Sequence, residues 1–380
     1  MPVRIATFNV ENLLARFDFS GWSRAVRRDR SLALVDIQSK QQFRALEQAR
    51  VVAHADDTRQ MTSLAIADTD ADILCLQEVE NADTLDAFCD GYLGPMFALD
   101  YPERHMIEGN DSRGIDVALI ARRTARDGTP IEVLEVRSNA HVTYDHLDLH
   151  NAALGKIGVE RNDRVFRRDL LEVDLRIGGR RTTLYLAHFK SMGPWRDGVE
   201  GRTWTRPIRI AEAEATRLLI ERRFGERTPD MRWLVCGDLN DYVERVAVTG
   251  SRLSGFSFAP QDERPSGLDP LLDPAGGFAE NLVARRPADD RWTLYHAGGP
   301  ERDGGATQER ATQHLVQLDY ILASPHVART NDTIPDIVRT GQPHRVPFPQ
   351  GQEVDRYPRT GWDRPKASDH CPVAVSLDLK

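Results

Sequence analysis

Asp369 and His370 stand side by side in Ala367-Ser368-Asp369-His370-Cys371-Pro372-Val373, just before the apolar alternation Pro372 to Leu379. A carboxylate and an imidazole at the mouth of a core strand suit phosphoester chemistry, in which one holds a cation and the other steadies charge or moves a proton. Ser, Asp and His are also ordinary turn residues that cap backbone groups, so this stretch alone leaves both readings open. Repetition weighs toward chemistry. The run from Arg4 ends in Asn9, Glu11 and Asn12; Asp72 to Val79 carries Glu78 at its end; Thr182 to Ala187 is followed by His188 and Lys190; Trp233 onward ends in Asp238 and Asn240. A fifth run, Gln317 to Ala323, holds Asp319 within it. A carboxylate closing an apolar strand is costly to bury unless it is paired or bound to a metal, and for Glu78 a salt bridge to an arginine is the competing account.

Each of these residues needs a strand to carry it, and the pattern supplies strands. Alternation marks Leu170 to Ile177, and Gly178-Gly179 reads as the hairpin turn back. Helical spacing runs over 58–69 and again from about Ile208 to Phe224, with Gly225 as the stop. Residues at about 14–55 read as an Arg-rich insertion, 250–310 as long loops around short elements, and 335–366 as a loop that delivers the chain to Ser368. Arg113 sits in a turn before another strand, where it could clamp a phosphate oxygen or be a plain exposed arginine. The loop from Met192 to Pro207 carries Trp195, Arg196, Arg202, Trp204 and Arg206; it reads either as a surface for nucleic acid or as two tryptophans tucked under a loop.

With 380 residues, 28% charged and 40% hydrophobic, the chain can bury a substantial core. A net charge of -8 argues against a surface coated in basic residues, but it does not exclude a nucleic-acid enzyme that relies on local arginines and metal ions. The cysteines at 75, 89, 236 and 371 form no C-x-x-C pair and read as buried free thiols of a reducing compartment. The first residues read as a strand rather than a signal segment, and no run approaches transmembrane length, so the expectation is a cytoplasmic protein without a membrane partner, and a monomer.

Taken in order, Phe-Asn-Val-Glu-Asn, Leu-Gln-Glu-Val, His-Phe-Lys-Ser, Gly-Asp-Leu-Asn, Leu-Asp-Tyr-Ile and Ser-Asp-His-Cys-Pro-Val resemble the endonuclease/exonuclease/phosphatase superfamily, whose members include pancreatic-type DNase and the exonuclease III class. The resemblance spans residues 5 to 375. It implies a single domain with a four-layer α/β sandwich, two packed mixed β-sheets flanked by helices. It further implies that Glu78 is the principal ligand of Mg²⁺ or Mn²⁺, helped by Asn9 and Asp369, with Glu11 as an outer-shell candidate. Asp238 and Asn240 correspond to the pair that orients the attacking water or a second metal, Asp319 to the acid that holds His370, and His370 to the histidine at the scissile phosphate. His188 stands where DNase-like members have a second histidine and abasic-site enzymes an amide, which favours a DNase-like or phosphodiesterase-like site. Arg113, Lys190, Trp195, Arg196 and Trp204 are the expected substrate contacts. The expected activity is hydrolysis of a phosphodiester, in DNA ahead of RNA; the alternative is a lipid phosphodiester or an inositol phosphate.

Overall fold

The computed structural model describes residues 2–13, 39, 56–196, 198–272, 277–298 and 313–380; the Arg-rich stretch at about 14–55 lies outside the described residues except for Ser39. Two six-stranded sheets form the centre. In the first, the strands lie edge to edge as Asp336–Ile337, Val373–Leu377, Val3–Leu13, Ile73–Val79, Asp116–Ala121 and Glu103–Met106. The second runs Glu280–Asn281, Asp319–Ala323, Trp233–Asp238, Arg180–His188, Leu170–Ile177 and Ile131–Ser138. Each sheet has one parallel pair at its middle and is otherwise antiparallel.

Strands buried on both faces must be apolar nearly throughout, and Ile73–Val79, Asp116–Ala121 and Trp233–Asp238 are. Val3, Ile5, Cys75 and Leu119 of the first sheet meet Leu171, Val173, Leu186 and Cys236 of the second in one core. The outer face of the first sheet packs against Met61, Ala65 and Ile66 of the helix at 56–69 and Leu85 and Phe88 of Ala82–Phe88. On the outer face of the second sheet, Tyr185, Trp233 and Val235 meet Ile208, Ala211, Ala215 and Ile220 of the helix Gly201–Phe224. Helix, sheet, sheet and helix make the four layers expected from the sequence. All four cysteines are free and buried, and no described helix is long and apolar enough to cross a membrane.

Three boundaries differ from the sequence reading. The long helix starts at Gly201, before Pro207 rather than after it. Asp241 explains this, because its two carboxylate oxygens hold Arg202 Nε at 2.7 Å and Arg209 Nε at 2.9 Å, clamping two successive turns across the proline. The stretch 250–310, read as long loops around short elements, begins inside a hairpin, Glu244–Ser251 with Gly255–Asp262, which joins His314–Val316 and Leu294–His296 in a four-stranded sheet. Its strands alternate weakly because the hairpin buries little, Gly255–Asp262 having no fully buried residue. Asp319 is the first residue of its strand rather than an interior one.

Candidate active site

Topology gathers the polar residues. The parallel pair Val3–Leu13 and Ile73–Val79 sends Asn9 and Glu78 to one end of the first sheet, and Val373–Leu377, antiparallel to it, begins at that same end just after His370. In the second sheet the parallel pair brings His188 opposite Asp238, and the antiparallel neighbour sets Asp319 opposite Asp238. Gly237 permits this approach: a Cβ there would lie 1.8 Å from the carbonyl oxygen of Ala187. Glu78 (φ 67°), Asn240 (φ 52°), Glu11 (φ 50°) and Asn12 (φ 61°) adopt left-handed backbone, unfavourable for side chains with a Cβ; in the first sheet these residues lie where the register shifts between Asn9 and Leu13 and between Gln77 and Val79.

Asp238 is the hub. Its Oδ2 accepts a hydrogen bond from Asn9 Nδ2 at 3.0 Å and lies 3.6 Å from His188 Nε2 and 3.7 Å from His370 Nε2. Its Oδ1 accepts the backbone N–H of Asn240 at 2.9 Å, while the Asn240 side chain donates to the carbonyl of Phe189 at 3.1 Å. His370 Nδ1 is 2.8 Å from Asp319 Oδ2. Glu78 Oε2 accepts the N–H of Asn12 at 3.0 Å, and Glu78 Oε1 is 4.0 Å from His188 Nε2. Asn9 also accepts the Glu11 N–H through Oδ1.

Charge is distributed unevenly over these groups. Burial raises Asp238 to about 7, against the pull of His370. Burial would depress His370, but Asp319 and Asp238 outweigh it and hold the imidazole well above its usual value, so it is charged at neutral pH. The opposite holds for His188, which burial, Arg168 and His370 keep neutral. Burial and then the neighbouring Asp369 raise Glu78. Asp369 falls below its ordinary range, since His370 and Lys366 overcome the effect of burial.

The donor set fits a hard divalent cation. Among the described residues no group of three or more His, Cys, Asp or Glu is placed to chelate an ion alone, but Mg²⁺ and Mn²⁺ sites commonly use one or two carboxylates with the remaining positions left to water and substrate. Asp369 is close enough to Glu78 to oppose its ionisation, a repulsion that a cation bound by the two would relieve. Glu11 is engaged otherwise, paired with Arg364 at 2.6 Å and Lys366 at 3.0 Å.

The expected substrate contacts divide. Arg113 is half exposed and held by Asp111 at 3.2 Å, close enough to Glu78 to influence its ionisation. Lys190 Nζ donates to Ser191, and burial lowers its pKa. Arg196 lies over the Trp204 ring at 5.2 Å, but Trp204 belongs to the long helix rather than to a loop, and both it and Trp195 are half-buried. Arg202 is not a surface residue at all; it is locked onto Asp241 and Glu263. Two residues escape the sequence reading. Arg168 is buried, ion-paired with Asp111 at 2.9 Å, and acts electrostatically on Glu78 and His188. Ser368 donates to the Asn9 carbonyl at 2.7 Å and accepts the His370 N–H at 3.0 Å, tying the segment that leads into Val373–Leu377 to the end of its neighbouring strand in the same sheet. Its place before Asp369 was the only available signal, while nothing local marked Arg168 out from the other arginines.

A family model described as Endonuclease/Exonuclease/phosphatase family matches residues 6–370. Curated proteins give no match. Among solved structures, truncated TDP2 of Caenorhabditis elegans is 13% identical, with a TM-score of 0.48 over 99% of this chain and 98% of that one. The human Nocturnin catalytic domain with bound sulfate anion is 13% identical, with a TM-score of 0.48 over 100% and 95%. A mannosyl-6-phosphatase of Bacteroides thetaiotaomicron is 12% identical, with a TM-score of 0.43 over 99% and 100%.

Proposed function

The chain belongs to the endonuclease/exonuclease/phosphatase family, and from that premise we propose that it is a divalent-metal-dependent phosphodiesterase of the nuclease type, acting on DNA ahead of RNA. The observation that carries this reading is the meeting at Asp238 Oδ2 of Asn9, neutral His188 and charged His370, with Glu78 4.0 Å from His188. Glu78 and Asp369, with Asn9 beside them, would hold Mg²⁺ or Mn²⁺, whose charge would offset that of the phosphate and whose open positions would take up water.

The protein's own groups do the rest. Asp238, once ionised, takes a proton from the attacking water or aims that water in line with the leaving oxygen. Asn9 and the Asn240 N–H fix the direction of its two oxygens. His370 is kept charged by Asp319 and steadies the negative charge that builds on the phosphoryl oxygens. His188, being neutral, has an N–H to give to the same oxygens or to the leaving group. Arg113 and Lys190 supply positive charge at the rim, where a phosphate chain would pass.

The test is hydrolysis by the purified protein, with Mg²⁺ or Mn²⁺ and with excess chelator, of duplex DNA, single-stranded DNA, RNA, a lipid phosphodiester and a phosphomonoester. The proposal expects cleavage of DNA that chelator abolishes. Turnover of the lipid or the monoester with DNA left intact would move the protein to that substrate, and full activity in chelator would remove the metal from the account.

A further inference from the structure

The turn Gly361–Pro365 is built to expose one aromatic ring. Gly361 donates its N–H to the carbonyl of Pro365 at 2.9 Å, and a Cβ at Gly361 would lie 1.9 Å from the carbonyl oxygen of Arg364, so only glycine closes this turn. His344 N–H and Arg345 N–H donate to the carbonyls of Gly361 and Trp362 at 3.0 and 2.9 Å and anchor it. Trp362 therefore stands out from a fixed base, 57% exposed. A single exposed apolar side chain is ordinary on a protein surface; what marks this one is the cation held over its ring.

The surroundings are cationic. Arg252, at the tip of the hairpin 244–262, reaches across so that its guanidinium lies 4.2 Å over the Trp362 ring, and it donates to the carbonyl of His344. Arg356 lies 4.5 Å over Phe348 in the same loop. Arg364, two residues beyond Trp362, is half exposed and contacts Glu11, whose backbone N–H is bonded to Asn9 in the catalytic centre. Four carboxylates temper the patch: Asp363 pairs with Arg345 at 2.6 Å, Glu11 with Arg364, and Glu353 and Asp355 lie exposed in the same loop. In a chain of net charge -8, an arginine-rich face that leads out of the site selects a polyanion.

Resting on the nuclease reading, we propose that this face holds a single-stranded stretch of the polynucleotide as it leaves the catalytic centre, with Arg364 and Arg252 meeting phosphates and Trp362 stacking on an unpaired base. The ring decides for a single strand, because bases within a duplex have no free face to offer, whereas an unstacked base does. The Arg252 guanidinium covers one side of the indole and leaves the rest of it in water, so base, indole and guanidinium can form one stack.

The measurements are binding of a labelled single-stranded phosphorothioate oligodeoxynucleotide and cleavage of its phosphodiester counterpart. Trp362→Ala and Arg252→Ala should each weaken single-strand binding about tenfold, and Trp362→Phe should restore most of it. Arg252→Ala should also reduce the slope of log affinity against log salt by about one. Turnover of a small chromogenic phosphodiester, which reaches only the catalytic centre, should match wild type. Polynucleotide cleavage by wild type with affinity unchanged in both variants overturns the single-strand track and leaves the nuclease reading standing. A wild-type protein that hydrolyses the small ester but neither binds nor cleaves any polynucleotide overturns both. Should Trp362→Ala instead release the protein from phosphatidylserine/phosphatidylcholine vesicles while oligonucleotide affinity stays constant, the face belongs to a lipid surface and the track is overturned.

Discussion

Asp319 grips His370 from within the protein, Oδ2 to Nδ1 at 2.8 Å, and thereby turns the other ring nitrogen, Nε2, toward Asp238 at 3.7 Å. The base of this grip is itself fixed, since Thr293 Oγ1 accepts the backbone N–H groups of Leu318 and Asp319 and the Thr293 carbonyl accepts that of Cys371. If the imidazole works only when so held and charged, Asp319→Ala and His370→Ala should each cut kcat by on the order of 10² to 10⁴. The double variant should be little worse than either single one. Additive losses in steady-state kinetics would dissolve the pair.

Glu78→Gln tests the cation site by stability as well as by rate. Glutamine keeps the acceptor for the Asn12 N–H but removes the charge, so turnover should fall on the order of 10²-fold or more. In thermal melts, the rise in Tm produced by Mg²⁺ or Mn²⁺ in wild type should vanish in this variant. Its metal-free Tm should be equal to wild type or higher, because a buried carboxylate held next to Asp369 has been neutralised. A metal-induced rise of wild-type size in Glu78→Gln would place the ion elsewhere.

The direction of pH dependence follows from Asp238 and His370. Both have folded-state values above their unfolded ones, so between about pH 6.5 and 8 the folded, metal-free protein holds more protons than the unfolded chain. The stability these two groups contribute is present at lower pH and is lost as the pH rises through their folded values. His188 works in the other direction, but only below its unfolded value, where the unfolded chain gains a proton and the fold does not. Metal-free Tm should therefore decline from pH 6.5 to 8, whereas kcat/KM in saturating metal should climb with pH as Asp238 ionises, at a lower pH than in the metal-free protein because a bound cation favours the carboxylate. A flat melting profile across that window would contradict the assignment.

Asp241 should prove structural despite lying three residues from Asp238. It is wholly buried between Arg202 and Arg209, and removing one partner of such a set leaves charge uncompensated in the interior. Asp241→Ala should cost about 3–5 kcal/mol in denaturant unfolding. Arg196→Ala, at an exposed cation over Trp204, should cost less than about 1 kcal/mol. Equal costs for the two would mean that the clamp across Pro207 is not what holds the helix start.

The sequence made the strands and their polar ends legible for one physical reason. A strand buried on both faces must be apolar, so Glu78, Asp238 and His188 stand out as soon as they interrupt one. Leu170–Ile177 was readable to the residue from alternation and its Gly-Gly turn. Less could be read where a long-range partner decides local structure. Pro207 looks like a helix boundary until Asp241 supplies the clamp. Arg202 looks like a surface cation until the same carboxylate draws it inside, and Arg168 is one arginine among many until Asp111 turns it toward the site. Residues 244–262 lack strong periodicity because that hairpin buries little. Glu11, adjacent to the motif residues, was legible as polar but not as the partner of Arg364 and Lys366, which are more than 350 positions away in the chain.

The hydrogen bond from Asn9 to Asp238 crosses from one six-stranded sheet to the other, and neither sheet owns a complete set of reacting groups. Glu78, Asp369 and His370 belong to the first, while His188, Asp238 and Asp319 belong to the second. Catalysis is thus a reporter of assembly. An intermediate in which each sheet has formed without docking would keep its secondary structure and yet be inert, and recovery of turnover during refolding would time the closing of the seam between the two halves.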